Sequence, residues 1–196
     1  MSVDLLWTGP EDGPTLVLGH GAGAAMDSAG MNQLADALAA RGIRTARFEF
    51  AYMAGRREGV RRPPPRAETL AGEYLAAVAT AGGTPFIGGR SMGGRVATLV
   101  ADELGAPGVV CFGYPFHPPG RPQQLRTAHL EHLRTPMLVV QGTRDEFGVP
   151  DEVGGYALSP AVEIVWVDGA NHSLSTKKAV TEAAETASEW IRRRGA

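Results

Sequence analysis

A chain of 196 residues, 43% apolar and 20% charged, fits one compact soluble domain that buries a sizeable core. A formal net charge of -2 gives no general basic surface for nucleic acid or an anionic membrane, and one cysteine, Cys111, excludes an internal disulfide and a cysteine-type zinc cluster. The N-terminal MSVDLLWTGPEDG has no basic stretch followed by a long apolar one, so neither a signal peptide nor a membrane span is expected and the expected location is cytoplasmic.

Leu5 to Thr8 reads as a short strand ended by the turn-forming GPEDGP, and Thr15 to Leu18 as a second, buried strand. The loop GHGAGA follows at once. Ser28 then stands where a helix cap belongs, ahead of Met31, Leu34, Ala35 and Leu38 at the i, i+3, i+4, i+7 spacing, and Gly42 stops that helix. Ile43 to Phe50 is the next strand.

From Gly55 to Arg66 the hydrophobic period is lost: GRREGVRRPPPR carries five arginines, one glutamate and three prolines. It reads as a loop, either simply solvated or forming a partial lid or acid-recognising edge of a pocket. Helical patterning returns over 67–81. Pro85 to Gly88 is then a strand, GRSMG a sharp turn, and Arg95 to Leu104 a helix. GVVCFG (108–113) and PMLVVQ (136–141) are continuous apolar runs of the kind found in parallel strands covered on both faces. Between them, HPPGRPQQLRTAHLEHL predicts a loop and a short helix with His129 and His132 on a solvated face. Val162 to Val167 is the last strand, and Leu174 to Arg194 a terminal helix with Val180, Ala184, Ala187 and Ile191 on one face.

Strand and helix alternate throughout, which predicts one α/β domain over 1–196 with a mostly parallel sheet and helices on both faces. Ligands of such sheets bind beyond the carboxyl ends of the strands. Four chemically interesting segments sit there. Gly89, Arg90, Ser91, Met92 and Gly93 form G-x-S-x-G, the pattern of a serine held on a strained strand-to-helix turn. Asp145 follows MLVVQGTR, His172 follows VWVDGAN, and GHGAGA follows LVL.

A serine hydroxyl attacks well only when a base takes its proton, so Ser91 is the expected nucleophile, His172 its base and Asp145 the acid that orients His172. Asp168 and Glu146 are rivals for the acid role; Asp168 lies too close to its strand end to reach across easily. The backbone N–H groups of Ala22 and Met92 are placed to hold an oxyanion. His20 is expected to shape its loop, with a pocket role as the alternative. His117 is a pocket candidate or a plain loop histidine. Arg90 is either a counter-charge for an anionic substrate or half of an ion pair beneath the turn. Cys111, inside an apolar run, reads as a small buried hydrophobe. The expected partner is a small-molecule substrate, with no cofactor and no metal, and the oligomeric state is open.

Two other readings compete. Gly19, Gly21 and Ala24 fit G-x-G-x-x-A, with Glu49 ending the following strand, a passable dinucleotide fingerprint that leaves the second glycine turn, Asp145 and His172 unexplained. The fold can also serve as a catalytically idle interaction module.

The order Ser, Asp, His resembles that of the α/β-hydrolase superfamily, and the chain is similar to its small cap-less members related to dienelactone hydrolase. GHGAG, FEFAYM, GGRSMGGR, CFGYPFHPPG, QGTRDEFG and DGANHSL resemble a predicted-hydrolase family that also includes relatives of a subunit of the non-specific lethal chromatin complex. The resemblance implies an α/β-hydrolase fold without a cap domain and a serine hydrolase acting on an ester, thioester or amide through Ser91, Asp145 and His172. Dienelactone hydrolases use a cysteine nucleophile where this chain has Ser91, which argues against dienelactone as the substrate.

Overall fold

The computed structural model describes residues 3–195; Met1, Ser2 and Ala196, the ends of the expected 1–196 domain, lie outside the described residues. Seven strands form one sheet: β1 (Leu6–Thr8), β2 (Thr15–Gly19), β3 (Arg44–Phe48), β4 (Phe86–Arg90), β5 (Val109–Phe112), β6 (Met137–Gly142) and β7 (Val162–Val167). Their order is β1-β3-β2-β4-β5-β6-β7, and only β1 runs antiparallel to its neighbour.

Both faces are covered, which is why the central strands are continuous apolar runs rather than alternating ones. On one face lie α1 (Ala29–Ala39) and α6 (Lys177–Gly195), packed on each other and on Leu16, Leu18, Val110 and Leu138. On the other lie a 3-10 turn (Ala67–Leu70), α3 (Ala71–Ala81) and α4 (Met92–Leu104), covering Val17, Ile87, Val109 and Val139. The faces predicted for the first and last helices are the buried ones: Met31, Leu34, Ala35 and Leu38 on α1, and Val180, Ala184, Ala187 and Ile191 on α6.

Tyr74 is a side chain that periodicity alone does not single out. It is fully buried on α3, and its hydroxyl lies 2.9 Å from the Val17 carbonyl, 2.6 Å from the Gly88 carbonyl and 2.8 Å from the Gly88 amide, which donates to it. A phenol that satisfies strand groups in a dry interior removes the penalty of leaving them unpaired.

Three local expectations differ from the structure. The arginine segment begins as a helix, α2 (Ala51–Arg57), and only its remainder is a loop. The short helix expected near His129 and His132 is a series of turns; His132 is exposed, but His129 is half-buried with Nε2 2.9 Å from Thr98 Oγ1. Proline and glycine at 118–122 break any helix start, and the segment is held by tertiary contact instead. A short helix, α5 (Pro150–Val153), begins at the proline after Val149. Ser28 precedes α1 as expected, without a side-chain capping bond.

Candidate active site

The strand order reverses at β2: β3 lies on one side of it and β4 on the other. At such a switch point the loops leaving neighbouring strand ends diverge to opposite faces and open a crevice. Gly19 at the end of β2 pairs with Gly89 near the end of β4, so GHGAGA and the serine turn flank that crevice. The turn is compact. Ser91 has φ 49, a left-handed conformation rare for a residue with a Cβ, and α4 starts at the next residue. A Cβ on Gly93 would lie 2.3 Å from the Gly19 carbonyl oxygen, so only glycine permits this approach of α4 to β2.

His172 reaches Ser91 from the far side of the sheet. Its loop leaves β7 and has to cross the ends of β6 and β5 to arrive at β4. Both crossings are made over glycine: a Cβ on Gly142 would lie 2.2 Å from the Ala170 carbonyl oxygen, and one on Gly113 would lie 2.6 Å from that of His172. The loop therefore rests directly on bare backbone. Phe147 packs over the imidazole, with ring centroids 4.0 Å apart and an interplanar angle of 31°.

The result is a continuous hydrogen-bonded chain. His172 Nε2 lies 2.8 Å from Ser91 Oγ and Nδ1 2.8 Å from Asp145 Oδ2. Asp145 is 0% exposed, a position a carboxylate tolerates only when its oxygens are paired. They are: Oδ2 also accepts from Gln141 Nε2 at 2.7 Å, and Oδ1 from the Phe147 amide at 2.9 Å. Gln141 accepts in turn from the Tyr114 amide at 2.7 Å, tying the β5 and β6 ends together around the carboxylate. Hydrophobic patterning does not single out Gln141; its signal in the sequence is a lone amide closing the apolar run PMLVVQ.

Asp168 is exposed, with its Oδ1 3.4 Å from Thr143 Oγ1, and Glu146 is exposed on the loop; neither is bonded to His172. Cys111 lies beneath Gly94, and burial pushes its thiol up, away from the thiolate form.

Ser91 opens into a cavity of about 610 Å³ bordered by Ala22, Met92, Pro115 and Phe147. Met92 is the first residue of α4, where a helix leaves its amides without intrahelical acceptors. The lining also includes the end of the arginine and proline loop, Pro64, Pro65 and Arg66, with Arg95 and Arg126. Of the two readings of that loop, its last residues form an edge of the cavity.

The three pocket candidates lie elsewhere. His20 is 0% exposed; Nδ1 donates to the Gly21 carbonyl at 2.8 Å and Nε2 accepts from the Phe50 amide at 3.1 Å, an arrangement that needs a neutral ring, and burial lowers its pKa accordingly. It ties the glycine loop to the end of β3. His117 is 2% exposed and held by the Pro118 carbonyl at 2.8 Å and Glu152 at 3.1 Å.

Arg90 points away from Ser91, because successive strand residues face opposite sides of the sheet. It lies against Gly30 of α1 and among Leu34, Phe112 and Leu174. Neither expectation for it fits: it does not border the Ser91 cavity, and among the described residues no carboxylate lies within 4.0 Å of it. Burial alone lowers its pKa.

The dinucleotide reading also meets a physical obstacle. Glu49 is bound to Arg57 at 2.6 Å and accepts from the Met26 amide at 3.2 Å, and no helix begins until Ala29, so the glycine loop presents no helix N-terminus to a pyrophosphate.

Comparison with known proteins agrees with this architecture. Residues 12–193 match the family described as alpha/beta hydrolase domain. Among solved structures, a lidless α/β serine hydrolase from Xanthomonas campestris is similar at 20% identity and a TM-score of 0.69, over 97% of this chain and 88% of that one. Dienelactone hydrolase from Anabaena variabilis is similar at 22% identity and a TM-score of 0.72, over 96% and 90%. A monoacylglycerol lipase from Paleococcus ferrophilus is similar at 16% identity and a TM-score of 0.74, over 99% and 100%. No helix among the described residues is long and apolar enough to cross a membrane. The chain belongs to the alpha/beta hydrolase domain family, in a small form without a cap.

Proposed function

We propose that the protein is a serine hydrolase of carboxylesterase type, cleaving a small ester, thioester or amide through an acyl-enzyme on Ser91. The observation that carries this reading is the unbroken chain from Ser91 Oγ through His172 to a buried, fully paired Asp145. His172 Nε2 takes the Ser91 proton as Oγ attacks the carbonyl carbon, and Asp145 holds Nδ1 protonated and stabilises the imidazolium. The Ala22 and Met92 amides receive the oxyanion. On collapse, His172 returns the proton to the leaving group; a water activated by the same nitrogen then hydrolyses the acyl-enzyme, releasing the acid and restoring Ser91. Esterase and lipase activities named for solved structures of the same fold support this chemistry and leave the substrate open.

The test is a fluorophosphonate probe, which phosphonylates an activated serine. Wild-type protein is expected to label at Ser91, and Ser91→Ala to lose labelling together with about 10,000-fold or more of ester turnover. Labelling that survives Ser91→Ala places the nucleophile elsewhere.

A further inference from the structure

Part of the lining of the Ser91 cavity is cationic, and the mechanism uses none of that charge. Three arginines from three separate segments converge there: Arg66 from the arginine and proline loop, Arg95 on α4, and Arg126 from the long loop after β5. Arg95 stands one helical turn past Ser91, its amide donating to the Ser91 carbonyl at 3.0 Å. Among the described residues a single carboxylate borders the cavity, Glu68, paired with Arg95.

This is not an ordinary solvated basic face. The Arg95 side chain is only 16% exposed, and its Nε is buried with no hydrogen-bond partner, whereas its Glu68 partner is 54% exposed. Among the described residues no carboxylate lies within 4.0 Å of Arg66 or Arg126. Burial, and after it the neighbouring Arg95, work against the Arg126 charge. Arg66 is exposed, but Arg95 and Arg126 are half-buried guanidinium groups with one carboxylate, Glu68, between them, and the uncompensated charge costs free energy that an arriving anion recovers. Guanidinium forks match carboxylate and phosphate oxygens in pairs, and a cavity of about 610 Å³ suits a small ligand.

We propose that the hydrolase substrate carries a second, anionic group, a carboxylate or a phosphate, which Arg95 and Arg126 bind while its scissile carbonyl lies at Ser91. The proposal rests on the serine-hydrolase reading. Glu68 sits on Arg95 as an internal competitor, its exposed carboxylate free to swing into solvent when the substrate anion enters.

The experiment compares kcat/KM for three p-nitrophenyl esters of matched length: the hemiglutarate, the neutral valerate and a phosphonate-terminated analogue. The wild-type protein is expected to favour at least one anionic ester over the valerate by about tenfold or more at low salt, a preference that added salt reduces. Arg126→Gln and Arg95→Gln should each lower the anionic-to-neutral ratio by about tenfold, and Glu68→Gln should raise it severalfold. A ratio cancels general damage to the protein, and a gain cannot come from misfolding. A wild-type ratio of one or less, or a ratio that the arginine substitutions leave alone, overturns the proposal.

Calorimetry with Ser91→Ala separates this idea from the one beneath it. Tighter binding of an anionic ester than of the valerate, in a protein whose wild type hydrolyses neither, upholds the anion site and sinks the hydrolase. Turnover by the wild type with no binding preference does the reverse.

Discussion

The two walls of the Ser91 cavity are held in different ways. On the His172 side every polar atom of the chain has a partner at 2.7–2.9 Å, Asp145 is out of water, and the supporting loops lie on bare glycine backbone. On the arginine side the charges outnumber their partners, Glu68 is half in solvent, and Arg66 sits at the end of an exposed proline loop. The difference matches what each wall has to do. Proton transfer needs atoms fixed within a few tenths of an ångström before the substrate arrives. Selecting a charged ligand needs unspent charge and side chains free to close on it.

With Ser91 itself left intact, the largest expected effect comes from breaking the rigid wall at its acid. Asp145→Asn keeps the shape but presents an amide to His172 Nδ1, favouring the wrong tautomer, so kcat should fall about 1,000-fold or more while Ser91 stays in place. Asp168→Asn is expected to leave kcat within about twofold, since the exposed Asp168 accepts a hydrogen bond from Thr143 and is not bonded to His172. Steady-state kinetics on the pair checks the assignment, and a loss confined to Asp168→Asn reverses it.

A smaller break targets the bare backbone. In Gly142→Ala the new Cβ, 2.2 Å from the Ala170 carbonyl oxygen, forces the loop outward and carries His172 off Ser91. A displacement of about 1 Å costs about 100-fold in kcat. Fluorophosphonate labelling should slow in step, while the thermal midpoint moves far less than the rate. Unchanged kinetics would mean that the loop has slack the contact distances do not suggest.

The rigid wall was also the legible one. Turns forced by steric necessity leave their residues in the sequence: glycines flank Ser91 because backbones touch there, and Asp145 and His172 follow strands because a parallel sheet collects its loops at one edge. Gln141 leaves a different mark, a lone amide closing an apolar strand, which hydrophobic patterning passes over.

The arginine wall carries no such mark. Arg66, Arg95 and Arg126 are far apart in sequence, and their meeting depends on where two irregular loops settle on α4, which no period encodes. Arg90 shows the opposite error. Next to the nucleophile in sequence, it is sent to the other face by strand alternation, whereas Arg95, one turn along α4, comes back to the cavity.

The smallest predicted effect measures the charge of the adjustable wall from inside the protein. His129 has Nε2 on Thr98 and is pushed down to about 4, first by burial and then by the Arg95 charge. Its folded pKa lies below the ordinary 6.5, so the unfolded chain binds the extra proton. The neutral ring's stabilisation is complete above pH 6.5 and is lost as pH falls through about 4. His129→Gln should therefore lose less stability than wild type between pH 7 and 4, by about 1 kcal/mol after allowance for the ring's partial exposure. Urea midpoints at the two pH values read this directly. In Arg95→Gln the nearby cation is gone while burial remains, so the His129 titration followed by NMR should move up but stop short of 6.5. A titration that does not move would mean that solvent screens the Arg95 charge, and a wall screened that well would have little field left with which to hold a substrate anion.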